Sequence, residues 1–407
     1  MNDQKLILTK YNGTQAAFLT ENNRLIHVML QSTSDCNIGD IYVGRVKDMI
    51  PAMDGAFVQF TERSVGFLPL SNLKSKNILN RTDADTLKSG DEVLVQVSKE
   101  PLKTKDAMLT TDLSFSGKYL VLIPYSHGIF YSKKFTKAQK EQLSALITDI
   151  AVELFGDMNI FLQQYGLIVR TAAITADVAD VGRELHELFH EASSILSCAD
   201  KRTMFSCLHK EDSVYVKALK NLFHPENNQI VTDDELFYQS LCQDPVFDFI
   251  PKDRITYYCD DRLSLRKLYG IDEKLQSAVS KKVWLKSGGY LVIEPTEALT
   301  VIDVNSGKSS IKQNKMNRED FYYKVNAEAA AEVAHQLRLR NISGIIIVDF
   351  LKNGKDNTEL LLKQLRSAVK ADPVETVIVG ETALGLVEIT RKKTEASLYE
   401  KIQQLNP

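Results

Sequence analysis

Two stretches in the C-terminal third, "ALTVIDVN" and "GIIIVDF", run through β-branched and apolar residues and stop on an aspartate, Asp303 and Asp349. Between them Val325, Ala329, Val333 and Leu337 recur every four residues, which lays one apolar stripe along a helix. Strand, amphipathic helix and a second strand of the same design constrain the chain strongly. If the helix is a crossover between neighbouring strands, the strands run parallel and both acids emerge at the carboxyl edge, where α/β sheets place their ligands. Further strands are expected at "GYLVIE", "ETVIVGE" and "GLVEIT", and helices at 318–340, 357–370 and 392–404, so residues 279–407 read as one α/β domain. On a period-2 strand Asp303 shares a face with Val301 and Leu299, and Asp349 with Ile347 and Ile345. Each carboxylate is therefore expected at the rim of a buried face, where a charge is costly unless it is paired or metal-bound.

Two carboxylates converging on one point suit Mg²⁺ or Mn²⁺, hard cations that take oxygen ligands and keep waters and substrate phosphates in their other positions. Asn305 follows on the same strand face and offers an amide to a phosphate oxygen. Ser306 and Gly307 make a loop in which backbone can approach an anion, and Lys308, Lys312, Lys315 and Arg318 continue it with positive charge. For any one aspartate closing a strand, a turn or cap is the commoner role. Two acids, an amide and a basic loop together favour the metal, and with it phosphodiester hydrolysis.

The rest of the chain changes character several times. "KLILTKYNGTQAAFLTENNRLIHVML" alternates around Asn12-Gly13, a strong hairpin signal. Short β-rich runs separated by Gly, Pro and Asp over 36–115 suggest a five-stranded barrel. Residues 116–205 mix strands with two helical periods, and 206–278 interleave strands and helices that can complete a domain begun by residues 1–35. In the barrel, Phe57 and Phe67 stand near Lys103 and Lys105: either ordinary core rings with surface lysines, or a platform where bases stack on rings and phosphates meet ammonium groups. Arg170 and Thr171 end the strand "YGLIVRTAA", a forked cation beside a hydroxyl that can grip a terminal phosphate.

Composition limits the alternatives. Net charge is −3, which excludes a uniformly basic nucleic-acid coat, yet residues 74–140 carry 12 Lys or Arg against 7 Asp or Glu, a basic patch or a plain solvated surface. No stretch approaches the roughly 18 apolar residues of a membrane helix, and the start lacks the form of a signal peptide, so the cytoplasm is expected and a membrane partner is not. The five cysteines are scattered, with no Cys-x-x-Cys pair, and signal neither disulfides nor zinc.

Taken in order, these pieces resemble the ribonuclease E/G family of bacterial single-strand-specific RNA endonucleases. The resemblance spans about residues 1–400 and is dense in "VWLKSGGYLVIEPTEALTVIDVNSGK", "NAEAAAEVAHQLRLRNISGIIIVDF" and "ALGLVEITRKKT". It implies a multidomain α/β protein: an RNase H-like scaffold (1–35 and 206–278) split around an OB-fold RNA-binding domain (36–115) and a 5′-sensor domain (116–205), followed by a DNase I-like catalytic domain (279–407). It further implies Mg²⁺ on Asp303 and Asp349, and Asn305 hydrogen-bonded near the scissile phosphate. Phe57, Phe67 and Lys105 are implied to bind RNA, and Arg170 and Thr171, with Gly117 and Val121 shaping the pocket, to bind a 5′-monophosphate. The products would carry 5′-phosphate and 3′-hydroxyl ends, and the substrates would be single-stranded regions of rRNA precursors and mRNA.

Departures from the family pattern bear on these expectations. Larger members continue into a Cys-Pro-x-Cys zinc link and a small tetramer-forming domain; this chain ends at "SLYEKIQQLNP", so neither zinc nor a zinc-linked tetramer is expected, and a dimer through the catalytic domain is left open. Lys352 stands where many relatives have a further acid, Asp106 replaces a glycine beside the barrel lysine, and "AAITADV" replaces Ala-Ala-Glu-Gly-Ala after the sensor strand. Lys352 keeps a second function in view, an RNA-binding protein of the same family with lost or attenuated cleavage.

Overall fold

The computed structural model describes residues 3–32, 34, 36–81, 86–101, 106–132, 135–174, 176–224, 226, 228–307, 318–352, 355–370, 372 and 374–405. Lys103, Lys105, Lys308, Lys312 and Lys315 lie outside the described residues. The chain forms two compact units, Ser34–Ser213 and the combination of Met1–Thr33 with Val214–Pro407. No helix among the described residues is long and apolar enough to cross a membrane.

The discontinuous unit contains two sheets. The first has the strand order Ile255–Tyr257, Asn228–Thr232, Gln4–Tyr11, Thr14–Glu21, Arg24–Leu30. Its three middle-to-edge partners Gln4–Tyr11, Asn228–Thr232 and Ile255–Tyr257 run parallel, and the other two strands form an antiparallel meander. The first hairpin turns at Asn12-Gly13, where φ is 49° and 83°, a left-handed pair that this dipeptide accepts at low cost. Alternate residues fill two cores: Leu6, Leu8, Ala17 and Ile230 pack with the helix Val214–Leu222, whereas Ile7, Phe18 and Val231 pack with Leu265, Leu275, Leu339 and Leu398.

The second sheet has the order Lys282–Trp284, Tyr290–Pro295, Leu299–Asn305, Gly344–Asp349, Val387–Arg391, Thr376–Glu381. Leu299–Asn305 and Gly344–Asp349 are parallel, with the helix Arg318–Leu339 between them in sequence. Val325, Ala329, Val333 and Leu337 are all fully buried against Ile302, Val304, Ile346 and Val348, together with Leu361 and Leu365 of the helix Lys355–Val369. The last helix is shorter than its sequence period suggests. It begins at Leu398 because Ser397 and Glu400 cap it reciprocally: Glu400 Oε2 accepts from the Ser397 backbone and Ser397 Oγ from the Glu400 backbone.

Polar groups tie this unit together at two points. Glu332 on the crossover helix pairs with Arg24 of the first sheet and accepts from Gln336 Nε2 at 2.8 Å, and Gln336 Oε1 accepts from Arg340 Nε at 2.6 Å. At the end of the second sheet the Arg391 and Asp372 side chains, 3% and 1% exposed, pair at 2.8 Å, and Arg391 Nη1 also donates to Asn341 Oδ1 and the Ile342 carbonyl.

In the other unit, Ile41–Ile50, Gly55–Gln59, Val65–Pro69, Ala107–Thr110 and Glu92–Lys99 form a five-stranded barrel closed by pairing of the first strand with the last. The short strand Cys207–His209 adds to its outside edge at Ile41 and Tyr42. A four-stranded sheet follows, ordered Gly128–Tyr131, Tyr165–Val169, Leu120–Pro124, Phe115–Ser116, with the helices Lys137–Phe155 and Val178–Cys198. Ile41, Val43 and Leu94 of the barrel belong to the same hydrophobic cluster as Leu122, Leu167 and Leu185, so barrel and module share one core.

Removing one member of a buried ion pair leaves the other charge uncompensated. Asp372→Ala is therefore expected to lower the unfolding free energy by about 3 kcal/mol, read as a reduced urea midpoint.

Candidate functional site

Asp303 and Asp349 are register partners on neighbouring parallel strands, one inter-strand spacing apart. Asn305 Nδ2 donates to Asp303 Oδ2 at 2.7 Å, which gathers the amide and both carboxylates at one sheet edge. Their face is not the buried one that alternation suggested. Val301 and Ile345 on it are 37% and 51% exposed, whereas Ile302, Val304, Ile346 and Val348 on the opposite face are buried. Both aspartates are exposed as well. The cause lies in the layering: the two long helices Arg318–Leu339 and Lys355–Val369 contribute their apolar side chains to the core with the opposite face.

The crossover helix fixes the loops around this edge. Asn326, fully buried, clamps the chain beyond Asp349, its Nδ2 donating to the Leu351 carbonyl at 2.7 Å and its Oδ1 accepting from the Leu351 backbone at 3.0 Å. Glu328 accepts from the backbone N–H groups of Lys286 and Ser287. Backbone meets backbone where this turn reaches the end of the Asp303 strand: a Cβ on Gly307, whose φ is +68°, would lie 2.2 Å from the Gly288 carbonyl oxygen. Only glycine fits there. Lys352 is exposed, three residues beyond Asp349.

In the barrel, Phe57 and Phe67 are register partners with ring centroids 5.7 Å apart at 68°. They alternate with Ala56, Val58 and Leu68 of the barrel core, and both are half-buried. Gly55 makes room for this arrangement, since a Cβ there would lie 2.2 Å from the Phe67 ring.

In the adjoining module Leu120 pairs with Val169 and Val121 with Ile168, so the turn at Gly117 and the end of the strand at Arg170 and Thr171 come together. The Arg170 backbone donates to the Tyr119 carbonyl at 2.7 Å, and Thr171 Oγ1 donates to Ser132 Oγ at 3.0 Å. Glu184 already occupies part of the corner: its carboxylate accepts from the backbone N–H groups of Lys118, Tyr119 and Leu120 at 2.7–2.8 Å. A Cβ on Gly117 would meet that carboxylate at 2.2 Å. Burial pulls the Arg170 guanidinium below its ordinary pKa, against the opposite pull of Glu184 and Glu211.

The ribonuclease E/G family model matches residues 114–394, and the S1 RNA-binding domain model matches residues 35–111. The chain belongs to the ribonuclease E/G family. It is 32% identical over 375 residues to ribonuclease G of Escherichia coli strain K12, covering 89% of this chain and 74% of that protein. It is 33% identical over 407 residues to ribonuclease E of Nostoc sp. strain PCC 7120, covering 98% of this chain and 57% of that longer protein. Ribonuclease G of Haemophilus influenzae strain Rd is 31% identical, with 92% and 76% covered.

In this member of the ribonuclease E/G family, sequence reading missed Asn326, Glu328 and Glu184. Asn326 left a faint trace, a small amide directly after Val325 of the apolar stripe; Glu184, between the apolar positions Val181 and Leu185, left none. His209 completes the charge pattern near Arg170. Burial alone would lower its pKa, but Glu191 at 2.7 Å and Glu211 at 3.8 Å raise it to about 9. A folded pKa above the unfolded value of about 6.5 makes this contribution to stability full below pH 6.5 and lost as pH rises through 9. His209→Gln is expected to flatten that part of the stability profile, measured by urea unfolding between pH 6 and pH 10 (about four pH units).

Proposed function

We propose that the protein is a metal-dependent, single-strand-specific endoribonuclease. The observation carrying this reading is the pairing of Asp303 with Asp349 on adjacent parallel strands, with the Asn305 amide on Asp303. An all-oxygen set of two carboxylates suits Mg²⁺ or Mn²⁺. When bound, such an ion supplies an activated water and neutralises charge on the scissile phosphate.

The protein's own groups do the rest. Asp303 and Asp349 would hold the cation, and Asn305 would turn its amide to a non-bridging phosphate oxygen, orienting phosphorus for in-line attack by water; the P–O3′ bond breaks, leaving a 5′-phosphate on one fragment and a 3′-hydroxyl on the other. Phe57 and Phe67 stack unpaired bases, a mode that duplex RNA cannot offer. Arg170 and Thr171, beside Gly117 and Val121, receive a 5′-monophosphate. The strand order of the first sheet, the closed barrel and the crossover sheet support an RNase H-like scaffold, an OB-fold and a DNase I-like catalytic domain respectively. The match to an S1 RNA-binding domain supports the RNA platform, and the relatives named ribonuclease G and E support processing of rRNA precursors or decay of mRNA.

Asp303→Asn or Asp349→Asn is expected to abolish cutting of a 5′-monophosphorylated A/U-rich oligoribonucleotide in Mg²⁺, with binding retained by anisotropy. A well-folded wild type that binds but cuts in neither Mg²⁺ nor Mn²⁺ identifies instead an RNA-binding protein with lost cleavage, the reading that Lys352, three residues beyond Asp349, keeps in view.

Sensing of the 5′ end is a separate matter. Oligonucleotides bearing a 5′-monophosphate are expected to be cut faster than their 5′-hydroxyl counterparts, and Arg170→Ala to remove the difference. Equal rates in the wild type would take Arg170 and Thr171 out of the site.

A further inference from the structure

We propose that Trp284, Tyr290 and Lys282 form a base-stacking subsite for single-stranded RNA on the open face of the sheet that carries Asp303 and Asp349. The proposal rests on reading those acids as the cleavage centre. Three observations support it. The first is register: Trp284 pairs with Tyr290 and Tyr290 with Asn305, while Lys282 pairs with Val292, Val292 with Asp303, and Asp303 with Asp349. Two rows of side chains thus cross the sheet side by side, one ending at the amide and the other at the acids. Trp284 stands two inter-strand spacings, about 10 Å, from Asn305, close enough for a nucleotide flanking the scissile phosphate.

The second observation is the exposed indole. Trp284 is 64% exposed, although tryptophan is highly buried on average. Tyr290 meets it edge-on at 5.3 Å, and Lys282 Nζ sits 3.9 Å from the indole centroid and 3.7 Å from the Tyr290 ring. The ammonium packs against both rings while most of the indole stays open to solvent. An aromatic platform with a cation beside it takes a base on the ring and a phosphate on the ammonium.

Rigidity is the third. The turn between the Trp284 and Tyr290 strands is held by Glu328 and by the Gly288–Gly307 contact, so the platform is preorganised relative to Asn305. The open face also exposes Val301 and Ile345 on the two acid-bearing strands, and Val377 and Val379 on the opposite edge strand, Thr376–Glu381. The edge near the acids carries exposed Lys282 and Lys286, charge suited to RNA rather than to a second apolar sheet.

Trp284 is the chain's single tryptophan, so its emission reports this subsite alone. The full chain is titrated in EDTA with a single-stranded oligoribonucleotide, with anisotropy of the labelled RNA followed in parallel, and again with an abasic oligomer. Quenching that tracks binding of the base-bearing RNA and is absent with the abasic oligomer is expected. In Mg²⁺, Trp284→Ala is expected to raise KM about tenfold with kcat little changed, in the range of one lost base stack, and Trp284→Phe to restore most of it. RNA that binds without changing the emission, an unchanged KM, or an emission that responds only to protein concentration would each overturn the proposal, the last by assigning the face to a second copy of the chain. Because the fluorescence arm is read without metal, a protein that quenches but does not cut refutes the nuclease reading and leaves the stacking subsite standing.

Discussion

The arrangement of the second sheet turns on two like charges held side by side. Asp303 and Asp349 are forced together by strand register, and the strands are parallel because an apolar helix has to cross between them. Two unit charges one strand spacing apart repel by about 1 kcal/mol in water and by roughly 3–4 kcal/mol at an effective dielectric constant of 20. On an open face the smaller figure applies, and the fold tolerates the pair. On the proposed reading, a polyanion laid over the same face would exclude water and add negative charge, so the repulsion would grow on binding. On the same reading a divalent cation between the two acids would offset both terms together.

The helix Arg318–Leu339 does more than connect these strands. Its apolar stripe forms the core, Asn326 holds the chain after Asp349, Glu328 holds the turn before Tyr290, and Glu332 ties the helix to Arg24 of the first sheet. The three polar positions fall within two turns, so both loops at the sheet edge take their positions from one rigid element. A site built this way keeps its geometry without relying on the mobility of its own loops.

This division explains what could be read from the sequence. The strand–helix–strand order, the buried positions 325, 329, 333 and 337, and the Asn12-Gly13 hairpin follow from local periodicity and turn chemistry, and all are present. Alternation separates the two faces of a strand but does not say which is covered when both are β-branched. Val301 and Ile345 therefore read as core, and only the placement of the helices shows that they face outward. Long-range polar contacts such as Asn326 with Leu351 or Glu184 with the 118–120 backbone join residues 25 or more apart, and no local pattern announces them. The basic loop expected at Lys308, Lys312 and Lys315, like Lys105, lies outside the described residues.

The proposed 5′-phosphate pocket shows how such contacts set a function's limits. Arg170 faces Glu184 and Glu211, and Glu211 is shared with His209, which Glu191 also engages. Lys118 feels the charge of Glu184 as well, so several cations and carboxylates already balance one another at this corner. A 5′-monophosphate brings up to two negative charges into this balance and competes with Glu184 for the positive potential of Arg170 and the adjacent backbone N–H groups. A triphosphate brings more charge and more bulk to the same corner. If the corner receives a 5′ end as proposed, carboxylates already in place would add to pocket size in disfavouring a triphosphate, and the same carboxylates would reduce the net attraction for the monophosphate.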